Sequence, residues 1–245
     1  MQTIKQLYRK DYLGEDIVTT RTYENSKWNA ETEYLPNQIV NMQVSNRALI
    51  IGNGPSRNEV DLNIAARNTA GLRGKLKLQT YGCNALYRDF APDFLVAVGA
   101  DIVSEVAASG YCDTHVVYSS TNGLMNNPGK FYHIPQDPRW NAGTLATYLA
   151  CFDGHTKIFL LGFDGNDTAD VNYNVYNDTP GYPAVNDTVT ESFWVQTMDY
   201  IFNLYPDVDF VRVAPTEAYR MPDQWRYRTN LRQIDFRQFV LEADL

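Results

Sequence analysis

The sequence predicts an α/β chain: a doubly wound, mostly parallel sheet in one domain, with N- and C-terminal extensions. Three observations lead there. Short apolar runs recur at Ala48–Ile51, Phe94–Val98 and Lys157–Leu161, with the length and composition of strands buried on both faces. Several of these runs stop at Gly with a polar residue close by, as in Gly52-Asn53-Gly54-Pro55-Ser56 and Gly162-Phe163-Asp164-Gly165. Segments of helical periodicity lie between them, and strands alternating with helices make a parallel sheet. The implied division is residues 1–46 as an N-terminal arm, 47–213 as the sheet domain and 214–245 as a C-terminal extension.

At 245 residues, 44% hydrophobic and 20% charged, the chain can bury a substantial core. Its net charge is −8, which argues against a broad phosphate-coating surface and so against bulk nucleic-acid binding. Cys83, Cys112 and Cys151 are odd in number and lack CxxC spacing, so neither a zinc site nor a disulfide framework is suggested. Met1–Lys10 is polar and no apolar run reaches the roughly 20 residues of a membrane span, and a cytoplasmic protein is expected. Asn-Asp-Thr recurs at Asn166, Asn177 and Asn186, read here as turn and capping residues.

Taken in order, Met1–Asn46 is charged and Tyr-rich and reads as a peripheral arm that wraps the domain or joins a neighbouring subunit. Ala48–Ile51 is the first buried strand, and Pro55 suits the first position of a following helix. Glu59–Ala70 reads as helix, Leu76–Thr80 as strand and Ala85–Asp89 as a short helix stopped by Pro92. Phe94–Val98 is a strand. Ala100–Ala108 is a helix that Asp101 could cap. His115–Ser119 is a strand. Thr121–Lys130 reads as loop by its Asn, Gly and Pro content, with a short strand at Phe131–Ile134. Asn141 suits an N-cap, and Ala142, Leu145, Ala146, Leu149 and Ala150 share one helical face. Lys157–Leu161 is a strong buried strand. Asn166–Asp187 is irregular, as long functional loops are. Thr188–Leu204 is helix and Val208–Val213 a final strand.

In open α/β sheets, ligands sit beyond the carboxyl ends of the strands. Four such ends carry small or polar groups: Gly52–Ser56, Gly82–Asn84, Gly99–Asp101 and Gly162–Asp164. Gly52 and Gly54 permit close backbone approach, and a strand end beside a helix N-terminus suits a phosphate. The same glycines also suit an ordinary tight turn. Asn53 and Asn84 both donate and accept, which fits a base or ribose. Thr144, at a helix start, suits an anion or a ribose hydroxyl. Asp164 is either a structural cap or a carboxylate with a chemical role.

Gly52-Asn53-Gly54-Pro55-Ser56, Cys83-Asn84, Ala142-Gly143-Thr144 and Leu161-Gly162-Phe163-Asp164 occur in that order. Over roughly Ala48–Gly165 the chain resembles bacterial sialyltransferases of the Campylobacter lipooligosaccharide type. It is also similar to related phage-borne uncharacterised proteins and to archaeal 6-hydroxymethylpterin diphosphokinase. The resemblance implies a Rossmann-like sheet and a nucleotide, CMP-linked in the first family and ATP in the last. It places Asn53 and Asn84 on the nucleotide, with Thr144 and Asp164 at the matching helix start and strand end. The sialyltransferases use a late His base and late Tyr residues on phosphate. Here His115, His133 and His155 all precede Asp164. His133, in an aromatic strand, reads as a core residue.

Three readings follow. In the first, the chain is a glycosyltransferase-like transferase using a CMP- or UDP-linked donor and a glycan or small-molecule acceptor, with no redox cofactor. Pocket residues would be Gly52, Asn53, Gly54, Pro55, Ser56, Asn84, Thr144, Tyr173, Tyr176 and Tyr182. The N–H groups of Gly54 and Ser56 and the loop Tyr hydroxyls would stabilise the departing phosphate. Asp164, Asp187 or Glu191 would deprotonate the acceptor, given a pKa raised by burial. In the second, Mg-ATP serves a pyrophosphokinase-like transfer with acids such as Asp101, Asp164 and Asp167. In the third, the pocket binds a nucleotide without turnover. A homo-oligomer is open in all three.

Overall fold

The structure, a computed structural model, describes residues 2–9, 15–36, 45–63, 78–136, 138–164, 174–182, 191–214 and 220–245. Its centre is an all-parallel sheet of eight strands interleaved with helices. These are β4 (Arg47–Ile51), β5 (Gln79–Cys83), β6 (Phe94–Ala97), β7 (Val116–Ser119), β8 (Tyr132–His133), β9 (Lys157–Leu161), β10 (Asp209–Val213) and β11 (Leu231–Ile234). The order across the sheet is β11-β10-β9-β4-β5-β6-β7-β8. The chain starts in the middle at β4, builds outward through β8, then returns to the other side of β4 with β9. That reversal puts a topological switch point between β4 and β9. The architecture is Rossmann-like.

Period-two alternation feeds both faces of the sheet. Ala48, Ile50, Ile158, Leu160 and Phe210 join one core with Leu145, Leu149, Met198, Ile201 and Trp225. Leu49, Ile51, Phe159, Leu161 and Val211 join the other with Val103, Val106 and Phe239. Burial on both sides is why these strands read as continuous apolar runs. Among the described residues the helices with full bounds are α1 (Ala100–Ala108), α2 (Thr121–Asn126), α3 (Ala142–Phe152), α4 (Glu191–Leu204) and α5 (Phe236–Ala243). Asn141 caps α3, its side chain accepting from the Thr144 N–H at 2.9 Å. The helix is buried almost all round, against the sheet and α4.

Several expectations need correction. Gly99, not Asp101, is the N-cap of α1; Asp101 sits in the first turn, where the dipole still favours an acid. Thr121–Asn126 is helix rather than loop. Ser120 caps it, and Gly123 lets the turn close onto Ser119, whose Oγ would lie 2.1 Å from an added Cβ. The strand after the first is Gln79–Cys83, three residues later than read from Leu76–Thr80. Pro55 opens a 3-10 turn, Pro55–Glu59, before helix begins at Leu62 and Asn63, within the expected Glu59–Ala70 helix, whose residues 64–70 lie outside the described residues.

Both extensions carry regular structure. β1 (Gln2–Arg9), β2 (Glu15–Glu24) and β3 (Lys27–Pro36) form an antiparallel meander, and β1 joins β8 in parallel at Tyr8↔His133. Val213 does not end the sheet. β11 pairs in parallel with β10 from Phe210↔Leu231 to Val213↔Ile234. Just before β11, Trp225 is fully buried, its indole N–H donating to the Val195 carbonyl at 3.0 Å. A complete capping box at Asp235 and Gln238 then starts α5.

Candidate functional site

The β4 and β9 ends interlock. The Gly52 N–H donates to the Leu161 carbonyl at 2.8 Å and the Gly54 N–H to the Gly162 carbonyl at 3.0 Å. The Ser56 N–H donates to Asp164 Oδ2 at 2.6 Å, and the Ser56 hydroxyl donates to Asp164 Oδ1. This contact explains the glycines. A Cβ on Gly52 would lie 2.4 Å from the Gly162 oxygen, and one on Gly54 would lie 2.3 Å from Asp164 Oδ2. Gly54 has φ −71°, so space rather than backbone conformation demands glycine there.

The expectation that Gly54 and Ser56 present their N–H groups to a phosphate is therefore corrected. Both donors are already spent on the β9 loop. Asp164 is partly buried, and burial raises its pKa above the ordinary carboxylate value, against the lowering effect of the Ser56 hydrogen bonds and the Arg212 charge. Arg212 is buried behind the loop and donates from Nε to the Phe163 carbonyl at 2.9 Å. Desolvation pulls its own pKa down to about 10. Each Asp164 oxygen accepts from Ser56 and retains a second lone pair, so the group can still take a proton.

Beside this junction three predicted residues meet. The Asn53 Nδ2 faces the Tyr182 hydroxyl at 3.5 Å, and Asn84 and Ala85 lie near enough to act electrostatically on the same phenol. Burial pushes the Tyr182 phenol up to about 12, so it stays neutral. Asn84 accepts from the Val98 N–H at 3.0 Å through Oδ1. Its φ is +50°, a left-handed conformation uncommon outside Gly and Asn and concentrated at functional sites. Asn53 Oδ1 accepts from Arg57 Nη1 at 3.2 Å.

Residues 174–182 close over this point. Their anchor is a cluster that the sequence reading missed. Arg57 is 3% exposed and reaches the Tyr176 hydroxyl at 2.7 Å and Asp89 at 3.0 Å. Arg57 and Arg88 both lie over the Tyr176 ring, 4.9 and 5.6 Å from its centroid. Arg88 also holds Thr179 Oγ1 at 2.8 Å and the Pro180 carbonyl at 2.7 Å. The Val175 N–H donates to the Asn53 carbonyl at 2.9 Å. An Arg after Gly-Pro-Ser carries no sequence signal for burial, because its partners lie about 30 and 120 residues away.

The other predicted residues are placed as follows. Thr144 is fully buried and its hydroxyl pairs with Thr197 at 3.2 Å, so it faces the α3–α4 contact rather than the crevice. The Tyr176 hydroxyl is engaged by Arg57 and by Asp89, the latter at 2.6 Å. Glu191 begins α4. Tyr173, Asp167 and Asp187 lie outside the described residues. His133 sits on β8, with Nε2 2.9 Å from Thr121 Oγ1, four strands from β4. Among the described residues no group of three or more His, Cys, Asp or Glu could hold a metal ion, and no helix is long and apolar enough to cross a membrane. No protein-family model, curated protein or solved structure matches the chain.

Proposed function

We propose that the β4–β9 crevice binds the nucleotide of an activated donor and that the chain is a transferase of glycosyltransferase type. The observation that carries this reading is the placement of the Asn53 and Asn84 side-chain amides at the ends of the adjacent strands β4 and β5, next to the switch point, with the Asn53 Nδ2 3.5 Å from the Tyr182 hydroxyl. Neighbouring uncharged amides that both donate and accept suit a base carbonyl or ribose oxygen. A CMP- or UDP-linked donor fits without help from a basic surface. Asp164 is the described carboxylate at the crevice, and its raised pKa suits it to accept the acceptor hydroxyl's proton. Phosphate stabilisation falls to groups other than the Gly54 and Ser56 amides. The second reading, Mg-ATP pyrophosphoryl transfer, calls for carboxylates gathered about the metal.

A thermal-shift panel of CMP, CDP, UDP, GDP, ATP and NAD, each with and without Mg²⁺, tests this, because a ligand of the native state raises Tm by mass action. The reading expects a shift with CMP, CDP or UDP that does not require Mg²⁺. A shift with Mg-ATP alone would favour the second reading. No shift with any of them would remove both.

A further inference from the structure

The outer edge of β3 is a self-complementary strand, and we propose that it pairs antiparallel with β3 of a second copy to make a two-fold dimer with one continuous sheet. β3 ends the sheet order, and among the described residues nothing pairs with its outer side. It is ten residues long. From Arg21 to Glu31 the β2–β3 ribbon is exposed or half-buried along its whole length, and Tyr23 and Trp28 remain 39% and 47% exposed. A long open edge of this kind is a template for another strand.

The register follows from the hairpin. Asn25 and Ser26 have φ of 51° and 62°, the type I′ turn of a two-residue loop. Glu24 and Lys27 flank that turn as a directly opposed pair. They are therefore a hydrogen-bonded pair, and alternation along the ladder turns the main-chain groups of Trp28, Ala30 and residue 32 outward. Outward residues must meet outward residues across a new antiparallel seam.

Among the registers that satisfy this condition, centring on Ala30 gives the longest overlap without like charges opposed. It sets Lys27 against Glu33 of the second copy, Asn29 against Glu31, Trp28 against residue 32, and Ala30 against its own copy. Sliding the overlap one step longer faces Glu31 with itself, and the next step faces Glu31 with Glu33. The chosen register places one Lys–Glu pair at each end of the seam and about six main-chain hydrogen bonds between them. The small Ala30 at the axis leaves room for each Trp28 ring to lie diagonally across the partner strand.

Sedimentation of the full chain over about 1 to about 100 μM tests this, since dimerisation follows mass action. The wild type is expected at twice the 27.9 kDa of one chain. Ala30→Pro removes an outward N–H and leaves the β2–β3 ladder intact, as prolines do at sheet edges. It should give a monomer with an unchanged circular-dichroism spectrum. Lys27→Glu opposes like charges at both ends and should raise the dimer Kd about three- to tenfold. Adding Glu33→Lys should restore it. A wild type monomeric throughout, or an Ala30→Pro dimer of unaltered Kd, would overturn the proposal. Should Ala30→Pro misfold, the charge pair decides: no weakening by Lys27→Glu, or no recovery in the double variant, overturns it equally.

Discussion

Replacing Gly54 by Ala tests the junction on which the site rests. Its backbone lies at φ −71° and ψ 152°, which alanine adopts freely. At such a position Gly→Ala ordinarily stabilises by about 0.4–1 kcal/mol, by restricting the unfolded chain. The added Cβ, however, would lie 2.3 Å from Asp164 Oδ2, 2.7 Å from Asp164 Cγ and 2.7 Å from the Gly162 oxygen. Two of these atoms belong to the carboxylate that Ser56 holds, and the third to a carbonyl bonded to Gly54 itself. Relief must break the Ser56–Asp164 pair or part the loops. Overpacking of this kind costs about 1–3 kcal/mol, which reverses the sign. Gly143→Ala is the control, because its Cβ would meet nothing nearer than 3.5 Å and should stabilise α3 by about 0.5–1 kcal/mol. Removing the carboxylate in Gly54→Ala/Asp164→Ala should recover part of the loss, as contacting residues do in a double-mutant cycle. Urea unfolding of the five proteins, Asp164→Ala alone included, is the assay. A Gly54→Ala variant as stable as wild type would refute the interlocked loops.

Three further predictions follow from other parts of the molecule. Asn84→Gly relaxes a left-handed residue at +50° while deleting its amide, so Tm should stay within a few degrees while nucleotide affinity falls about tenfold or more, read by calorimetric titration. Trp225→Ala should cost about 3–5 kcal/mol in urea unfolding, since the ring is fully buried and its N–H is bonded to Val195. Glu242 has its pKa lowered to about 2, chiefly by its hydrogen bonds from Arg232 and also by Lys157. A depressed acid contributes stability that is present above its unfolded pKa and is lost as pH falls through the folded one. Wild type should therefore lose stability from about pH 4.5 toward pH 2 more steeply than Glu242→Gln, followed by Tm against pH.

The centre of the parallel sheet was legible because its strands are buried on both faces and β4, β6 and β9 carry apolar runs. Lys157–Leu161 is read with the bounds it has in the structure. β11 was not legible. Its residues Leu231, Arg232, Gln233 and Ile234 bury only the two end positions, as an edge strand does. The meander was hidden because its residues form no apolar run in the sequence. α2 looked like loop because Asn and Gly hold places that capping and close packing against Ser119 require.

Of the candidate site, the placement was legible: Asp164, Asn53 and Asn84 follow the ends of the neighbouring strands β9, β4 and β5. What the glycines do was not legible. Their role depends on Gly162 and Asp164, more than 100 residues later, and a turn that admits a phosphate is spelled like a turn that admits another loop. Arg57 and Thr144 show the same limit: each is polar in sequence and buried in the fold, and only its distant partner says why.

The claim that the crevice holds a nucleotide through Asn53 and Asn84 is tested most directly by following their side-chain NH₂ signals in ¹⁵N-labelled protein during titration with CMP and with UDP. The signals are assigned from the Asn53→Ala and Asn84→Gly variants. Both pairs of signals are expected to move together, with one Kd, for at least one of the two nucleotides. Binding that leaves both side chains unmoved, or no binding of either nucleotide, would contradict it.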